Sequence, residues 1–545
     1  MPGASISRRW GDTMKTNRNL IVIAIVAAAA VLAPRYGPGI HARAATASGD
    51  ELDRSIHAVA AAYALIEQNF ADVVSPERAF YQGAIPGMLH TLDPHSNFVD
   101  PAEYREMERR QHAQYFGVGM EIYMDGPRVV VMRPLPGSPA LSAGLRRADI
   151  IVGVGDKDVT GLDSAAVADL LRGPRGTQVK VTVRREGAPD PIAVTITRSE
   201  IGTTAVDTFP VKPGIVFLRV DTFEASNIGR DVETRLHQLG EENVNGLILD
   251  LRGNLGGLVN EAVALAGRFL RTGQTVVSHR GRAEQEQVFR AKGQPLAQKY
   301  PVVVLVDRQS ASASEIVSGA LQDHDRAWIL GETTFGKGLV QAQFPLAEGA
   351  ALLLTIAHYY TPSGRLIQRD YEHQSFLEYY YSRPSDTQNS TNDVKATDSG
   401  RKVYGGGGIT PDEKYAPPQF NVFQRRVGPI VNTPNAFYHF ASIYFGADQP
   451  KLPAGWQPDD QVLGRFKEYL RSKQVPFTDD EFAANRQWMR DQLRWEMYIR
   501  AFDKETADQA MWQSDPEVQK AIESLPKAQS LLQAAQRVLA RRAAR

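Results

Sequence analysis

Apolar residues recur along this chain at different spacings, and the change of spacing divides it. Between Glu51 and Gln68 they stand at Leu52, Ile56, Val59, Tyr63 and Ile66, the step of three and four that lines one face of a helix. Ser75-Pro76-Glu77 then reads as a cap with proline at the first helical position. From Tyr115 to Arg198 the runs shorten to strand length: Met120–Tyr123, Arg128–Met132, Ile150–Val154, Gln178–Arg184 and Ile192–Arg198, around two short helices. From Thr208 onward the strands become continuously apolar (Gly214–Val220, Leu247–Leu251, Val302–Val306, Ala327–Leu330, Gly349–Tyr360) and alternate with helices at Glu224–Leu239, at Val259–Leu270 and from Ser312. That alternation predicts mostly parallel pairing with right-handed crossovers.

Ser382–Gly400 is rich in serine, threonine, asparagine and aspartate and reads as a mobile loop. The glycine run of Gly405–Asp412 returns the chain toward the core. Beyond Gln419 the pattern is helical. The capping box Thr478–Glu481 opens a helix carrying Phe482, Met489, Leu493 and Met497, and Pro516–Arg545 carries Val518, Ile522, Leu525, Leu532, Val538 and Leu539. These stripes are expected to pack within the chain rather than in a dimer contact.

Composition narrows the class. A chain of 545 residues exceeds a single core, so three or four domains are expected. Lysine plus arginine and aspartate plus glutamate both number 62, a balance that argues against a nucleic-acid partner. No cysteine occurs, which excludes disulfides, thiol catalysis and cysteine metal sites, and suits an oxidising compartment. His90 and His95 lack a third ligand at a recognised spacing; they read as surface or capping residues, and neither metal nor cofactor is expected.

The first 45 residues read as targeting sequence. Lys15 and Arg18 precede a 14-residue apolar run, Leu20–Ala33, short for a membrane span of about 20 residues. Ala42-Arg43-Ala44 has the small-x-small form of a cleavage site, and Met14 opens a compact start to this signal. The expectation is a cleaved signal peptide, with an uncleaved anchor as the alternative, and a chain placed in the periplasm or the extracytoplasmic cell envelope.

Chemistry concentrates in Asp307–Gln341. Three serines, Ser310, Ser312 and Ser314, follow an apolar strand at a helix start, and Lys337 stands between Gly336 and Gly338. A serine nucleophile needs a base and donors for the oxyanion. Only His324 lies near the serines and no Gly-x-Ser-x-Gly elbow occurs. A lysine serves as base when burial lowers its pKa. The competing reading is a phosphate loop, because Gly331 to Lys337 fits the first seven positions of that motif. The eighth is Gly338 rather than serine or threonine, and the long helix expected next is missing, so nucleotide binding is set aside.

Two resemblances follow from these motifs. Phe116-Gly117-Val118-Gly119-Met120, Pro136–Ala140 and Ala143-Gly144-Leu145 through Asp149-Ile150-Ile151 resemble PDZ domains, in which a glycine-rich loop offers N–H groups to a carboxylate and a strand edge takes an extended peptide. The run from Ser310 to Glu315 and that from Thr334 to Gln341 resemble the C-terminal processing peptidases, or tail-specific proteases. So do Leu92–Ser96, Arg252–Gly257, Tyr359–Gly364 and Gly408–Asp412. The resemblance runs from about Glu51 to Pro411.

This resemblance implies a multidomain α/β fold: a crotonase- or Clp-protease-like catalytic core with an inserted PDZ domain, an N-terminal helical segment and a C-terminal helical extension. The expected divisions are 1–45 (signal), 46–112 (helical), 113–199 (PDZ), 200–418 (protease core) and 419–545 (helical extension). It implies a serine endopeptidase with a Ser–Lys dyad that acts on proteins or peptides with free C-termini. In the family the nucleophile stands 25 residues before the lysine, which selects Ser312 for Lys337. Gln341 would orient the lysine. Ala313 and either Gly256 or Gly257 would form the oxyanion hole, and Glu315, Asp323 and Thr334 would support it. Phe116 to Met120 would receive the peptide, and Arg172 is a candidate gating contact. The implied contact with a membrane is at most an N-terminal anchor, and a homo-oligomer is compatible. An inactive scaffold that binds C-termini is the alternative reading.

Overall fold

The computed structural model describes residues 49–543, except 102, 105–115, 136, 186–187, 202–204, 226, 284, 293–299, 347–348, 372–378, 380–392, 429–435, 446–451 and 454. The targeting segment 1–45 therefore lies outside the described residues. Two compact units share the chain: the first combines Met1–Gln111, Lys212–Tyr415 and Ala521–Arg545, the second His112–Val211 and Ala416–Lys520.

In the first unit, Ile215–Val220, Gly246–Asp250, Val302–Val306, Ala327–Gly331 and Glu413–Lys414 form parallel neighbours in that order. Every residue of Gly246–Asp250 and Val302–Val306 is buried, which is why those strands read as unbroken apolar runs. The helices Ile228–Gln238, Val259–Phe269 and Ala313–Asp323 fall between the strands, as the alternation requires. The carboxyl ends of the strands ending at Asp250, Val306 and Gly331 release the three loops that carry the candidate site residues, the usual place for a site in an open α/β sheet.

A second, antiparallel sheet was not foreseen. Its long strand Ala351–Tyr360 pairs with Asn97–Val99, Leu339–Pro345 and Thr275–Arg280, and the last of these pairs with Gln287–Arg290. Leu339–Pro345 mixes glutamines with apolar residues and ends in proline, so its strand signal is weak until a partner supplies the ladder. Register places Gln341 opposite Thr355 and Asn97 opposite Leu353, so the segment Asp93–Ser96 and Gln341 reach the same neighbourhood. Within the described part of the expected mobile loop, Val394–Ala396 is a strand that pairs with Lys402–Tyr404, and the residues between them form the hairpin turn.

The second unit holds a β module in the order Met120–Asp125, Arg128–Pro134, Ile150–Val154, Gln178–Arg184, Ile192–Thr197. Val131, Val167, Val181 and Val183 fill its core. A helical group packs around Phe437, Phe466, Met489 and Leu493. The helix expected from Thr478 is two, Asp479–Ala484 and Arg486–Ala501, broken at the buried Asn485, whose side chain donates to the Glu481 carbonyl at 2.7 Å. Tyr438 of this group packs on Tyr123 and Val130 of the β module, and Arg147 lies 4.0 Å over the Tyr438 ring and pairs with Glu496.

The 419–545 extension is therefore not one piece. From Ala521 it belongs to the first unit, where Leu525 lies against Gly246, and Ser524 Oγ and Lys527 Nζ each donate to Glu413 at 2.8 Å. The first described helix, Gly49–Asn69, keeps Leu52, Ile56 and Ile66 at least half exposed. Among the described residues no helix is long and apolar enough to cross a membrane.

Candidate active site

The strand Val302–Val306 ends in a turn that closes on itself: Asp307 accepts from the N–H groups of Gly253, Gln309 and Ser310 at 2.9–3.0 Å. Of the three serines, two are committed. Ser310 Oγ donates to the Leu251 carbonyl at 2.8 Å, and Ser314 Oγ to the Asn254 carbonyl at 2.9 Å. Among the described residues the hydroxyl of Ser312 donates to no carbonyl; it faces the Glu315 N–H in a capping box at the start of the helix. Its backbone sits at φ 53°, ψ −110°, a conformation that L-residues rarely adopt and that costs about 1–3 kcal/mol. Strain of this kind persists only where the surroundings impose it, and it sets the Ser312 side chain off at the start of a helix whose every residue is buried.

The imposing group is Glu315. Its fully buried carboxylate accepts from the N–H of Ser312 (2.8 Å), Lys337 (2.8 Å) and Gly336 (2.6 Å) and from Thr334 Oγ1 (2.6 Å). Burial raises its pKa, while the four donors, none of which a neutral acid would need, hold the charge in place. Thr334 Oγ1 in turn accepts from the Ile409 N–H at 2.7 Å. Lys337 is 6% exposed, and its side-chain amine makes no hydrogen bond or ion pair among the described residues. Burial lowers its pKa from 10.5 to about 8, against the opposing pull of Asp93 and Glu315. Ser312 and Lys337 are not hydrogen-bonded to each other through their side chains.

The turn after Asp250 forms the facing wall. Arg219 and Arg252 bracket the buried Asp250 at 2.9 and 2.8 Å. Asn254 donates to the Val220 carbonyl at 2.7 Å and accepts from the Gly256 N–H at 2.8 Å. Gly256, at φ +102°, lies so close that a Cβ there would stand 2.8 Å from Ser312 Cβ and 3.0 Å from the Ala313 nitrogen. The two glycines thus differ: the Gly256 N–H is spent on Asn254, whereas those of Gly257 and Ala313 have no hydrogen-bond partner among the described residues.

The other expected residues fall as follows. Gln341 donates to the backbone carbonyl of His95 at 2.7 Å and not to Lys337. Asp323 accepts from Arg365 at 2.7 Å and from the Ser363 N–H at 3.0 Å, tying the far end of the helix to the Tyr359–Gly364 turn. In the second unit, Phe116–Gly117 pairs with Ser199–Glu200, and Met120 begins the next strand. The N–H groups of Val118 and Gly119 between them take no hydrogen bond among the described residues. Gly119 stands at φ +75° against Ser138. Arg172 ends the helix Ser164–Leu171 and pairs with Asp169 at 2.8 Å.

The reading of His95 as surface or capping is corrected. It is 5% exposed, its Nε2 lies 2.9 Å from the Tyr379 hydroxyl, and burial followed by the nearby Lys337 and Arg369 drives its pKa well below the usual range. His90 is exposed. The available signal for His95 was its place in Leu92–Ser96, ahead of a strand that joins the sheet holding Gln341. Arg369, 6% exposed, was also missed. Among the described residues no cluster of metal-ligating side chains occurs.

Comparison with known proteins fits this geometry. The profile of peptidase family S41 matches residues 214–372, and that of the PDZ domain matches 130–185. The carboxy-terminal-processing protease of Bartonella bacilliformis is 38% identical over 299 residues, covering 54% of this chain and 68% of that protein. The chain belongs to peptidase family S41. The carboxyl-terminal-processing protease of Picosynechococcus sp. is 35% identical over 349 residues, 61% of this chain and 83% of its own. Among solved structures, the photosystem II D1 C-terminal processing protease is 31% identical, covers 64% of this chain and 85% of its own, and superposes with a TM-score of 0.36. The S41 match spans all three loops described above, and the PDZ match covers strands of the β module beside the Phe116–Met120 loop.

Proposed function

We propose that this S41 peptidase cuts polypeptides near their free C-termini by a Ser312–Lys337 dyad. One observation carries the reading: a single buried carboxylate oxygen, Glu315 Oε2, receives the backbone N–H of both Ser312 and Lys337, so the two nitrogens stand no further apart than twice 2.8 Å. Neutral Lys337 takes the Ser312 proton as Oγ attacks the peptide carbonyl, and then returns it to the leaving amine. Water hydrolyses the acyl-enzyme by the same path in reverse. The oxyanion falls to the unspent N–H groups of Ala313 and Gly257, with Gly256 keeping the approach open. Glu315 and Thr334 hold the base and nucleophile loops together; Gln341 acts on the lysine through its grip on the Asp93–Ser96 segment. The side chains of Ser312 and Lys337 move into hydrogen-bond reach when substrate is bound.

The unspent N–H groups of Val118 and Gly119 receive the substrate's terminal carboxylate. The N-terminal pattern supports action outside the cytoplasm, behind a signal in residues 1–45. An export-dependent reporter fused to those residues tests that placement.

The reaction is tested with a folded protein bearing an unstructured apolar tail, incubated with wild type, Ser312→Ala or Lys337→Ala and followed by intact mass. Cleavage by wild type alone supports the dyad. Equal cleavage by either variant overturns it, and binding of the tail without cleavage by wild type favours the scaffold reading.

A further inference from the structure

Lys337 is not the only buried cation at this site. Arg369, 6% exposed, lies on the other side of the base loop: its N–H donates to the Gly336 carbonyl at 3.0 Å, and its Cβ is 2.9 Å from where a Cβ on Gly336 would stand. Its guanidinium is wedged between two rings, 4.1 Å from the Phe335 centroid and 4.1 Å from that of Tyr379. Tyr379 is the residue whose hydroxyl meets His95 Nε2. Among the described residues Arg369 makes no ion pair, and its Nε and Nη2 are buried without a hydrogen-bond partner.

That arrangement is costly as it stands. A guanidinium withdrawn from water needs a counter-charge, and two aromatic faces replace only part of the lost hydration. Among the described residues the carboxylate that holds this loop, Glu315, already has four donors on its two oxygens. The guanidinium meets the Tyr379 hydroxyl, but the Nε and Nη2 donors of its rigid fork have no acceptor, and beside a peptidase's base they match the geometry of a planar carboxylate.

We propose that Arg369 is a substrate subsite for a carboxylate, held against Phe335 and Tyr379 by the fork of the guanidinium. The inference rests on the peptidase reading above. The carboxylate has two sources, the substrate's terminal α-carboxylate or an acidic side chain near the scissile bond. Arg369 would then select among substrates that the PDZ loop admits equally.

The test uses the full chain as wild type, Arg369→Met and Arg369→Lys. The substrates are one peptide and its relatives, with the terminal carboxylate made a carboxamide or each acidic side chain made the matching amide. In wild type, one of these replacements raises KM about tenfold or more with kcat little changed, the effect of losing one charge-assisted pair. In Arg369→Met the same replacement has no further effect, and Arg369→Lys keeps part of the discrimination. Which replacement behaves this way names the source, and the PDZ contribution cancels because it is common to all three proteins. If every replacement costs as much in Arg369→Met as in wild type, the guanidinium is structural and the proposal falls. If wild type cuts nothing, the reaction reading fails separately. The same peptide ratios, read as Kd on Ser312→Ala and Ser312→Ala/Arg369→Met, then support or overturn the subsite by the same comparison.

Discussion

The N–H groups of Ser312 and Lys337 both donate to Oε2 of Glu315, each at 2.8 Å, so the loops carrying the proposed nucleophile and base share one buried anion. Replacing it by an isosteric amide tests how much the site depends on that charge. In Glu315→Gln, an NH2 faces N–H donors that have no other acceptor, at about 1–3 kcal/mol for each one left unmet. We expect a loss of about 3 kcal/mol in urea unfolding and a fall in kcat of at least tenfold after correction for the folded fraction. Retention of wild-type kcat would refute the positioning role.

The lowered pKa of Lys337 has two consequences of opposite value to the protein. A neutral amine is the base, so kcat/KM should climb tenfold per pH unit and level off above about 8. A profile flat through that range counts against Lys337. For stability the sign is the reverse of a salt-bridged lysine. The folded state binds this proton less tightly than the unfolded chain, whose lysine titrates near 10.5, so the penalty is fully present below pH 8 and is relieved as pH rises toward 10.5. Lowering from 10.5 to about 8 corresponds to about 3 kcal/mol. Lys337→Met should therefore abolish cleavage and raise the melting temperature at pH 7, and a variant less stable than wild type there would contradict the burial argument.

Gly256 and Gly257 make different demands. A Cβ at Gly256 stands 2.8 Å from Ser312 Cβ, while one at Gly257 stands 2.2 Å from the Phe223 carbonyl carbon in the sheet-side wall. Gly256→Ala should fold, by circular dichroism, yet lose at least a hundredfold in kcat/KM. Gly257→Ala should fail to accumulate as folded protein. The reverse pattern would exchange their roles.

In the second unit, Arg147 pairs with Glu496, whose side chain is 5% exposed, and lies 4.0 Å over Tyr438. Removing one partner strands a buried charge, so Arg147→Met should cost about 3–5 kcal/mol, whereas Arg147→Met/Glu496→Leu should recover most of it. A thermal melt of the three proteins decides: equal destabilisation by single and double variants would show that packing on Tyr438, not charge, holds this contact.

Much of this architecture was legible because its causes are local. Continuous apolar runs gave the parallel strands to within a residue or two, since a strand covered on both faces is mostly apolar, and its exceptions, Arg219 and Asp250, pair with each other. The family resemblance, with its step of 25 residues, singled out Ser312 and Lys337, and the structure brings their backbone N–H groups to one carboxylate. What failed to show was long-range. Leu339–Pro345 becomes a strand only through its partner Ala351–Tyr360, and His95 looks like any turn histidine until Tyr379, 284 residues later, closes over it. The alternation of apolar segments beyond Gln419 says helix, but not that the last helix leaves its neighbours for Gly246 and Glu413. The choice between Gly256 and Gly257 is a matter of which N–H is already spent, and no spacing encodes that.

The seat of the active centre is finished late in the chain. Thr334, which holds Glu315, is itself held by the N–H of Ile409, and Ile409 follows Lys337 by 72 residues. A ribosome delivering this protein from its N-terminus makes the serine and the lysine well before the residues that bring them to bear. The network that seats Glu315 is therefore complete only once residue 409 has been synthesised.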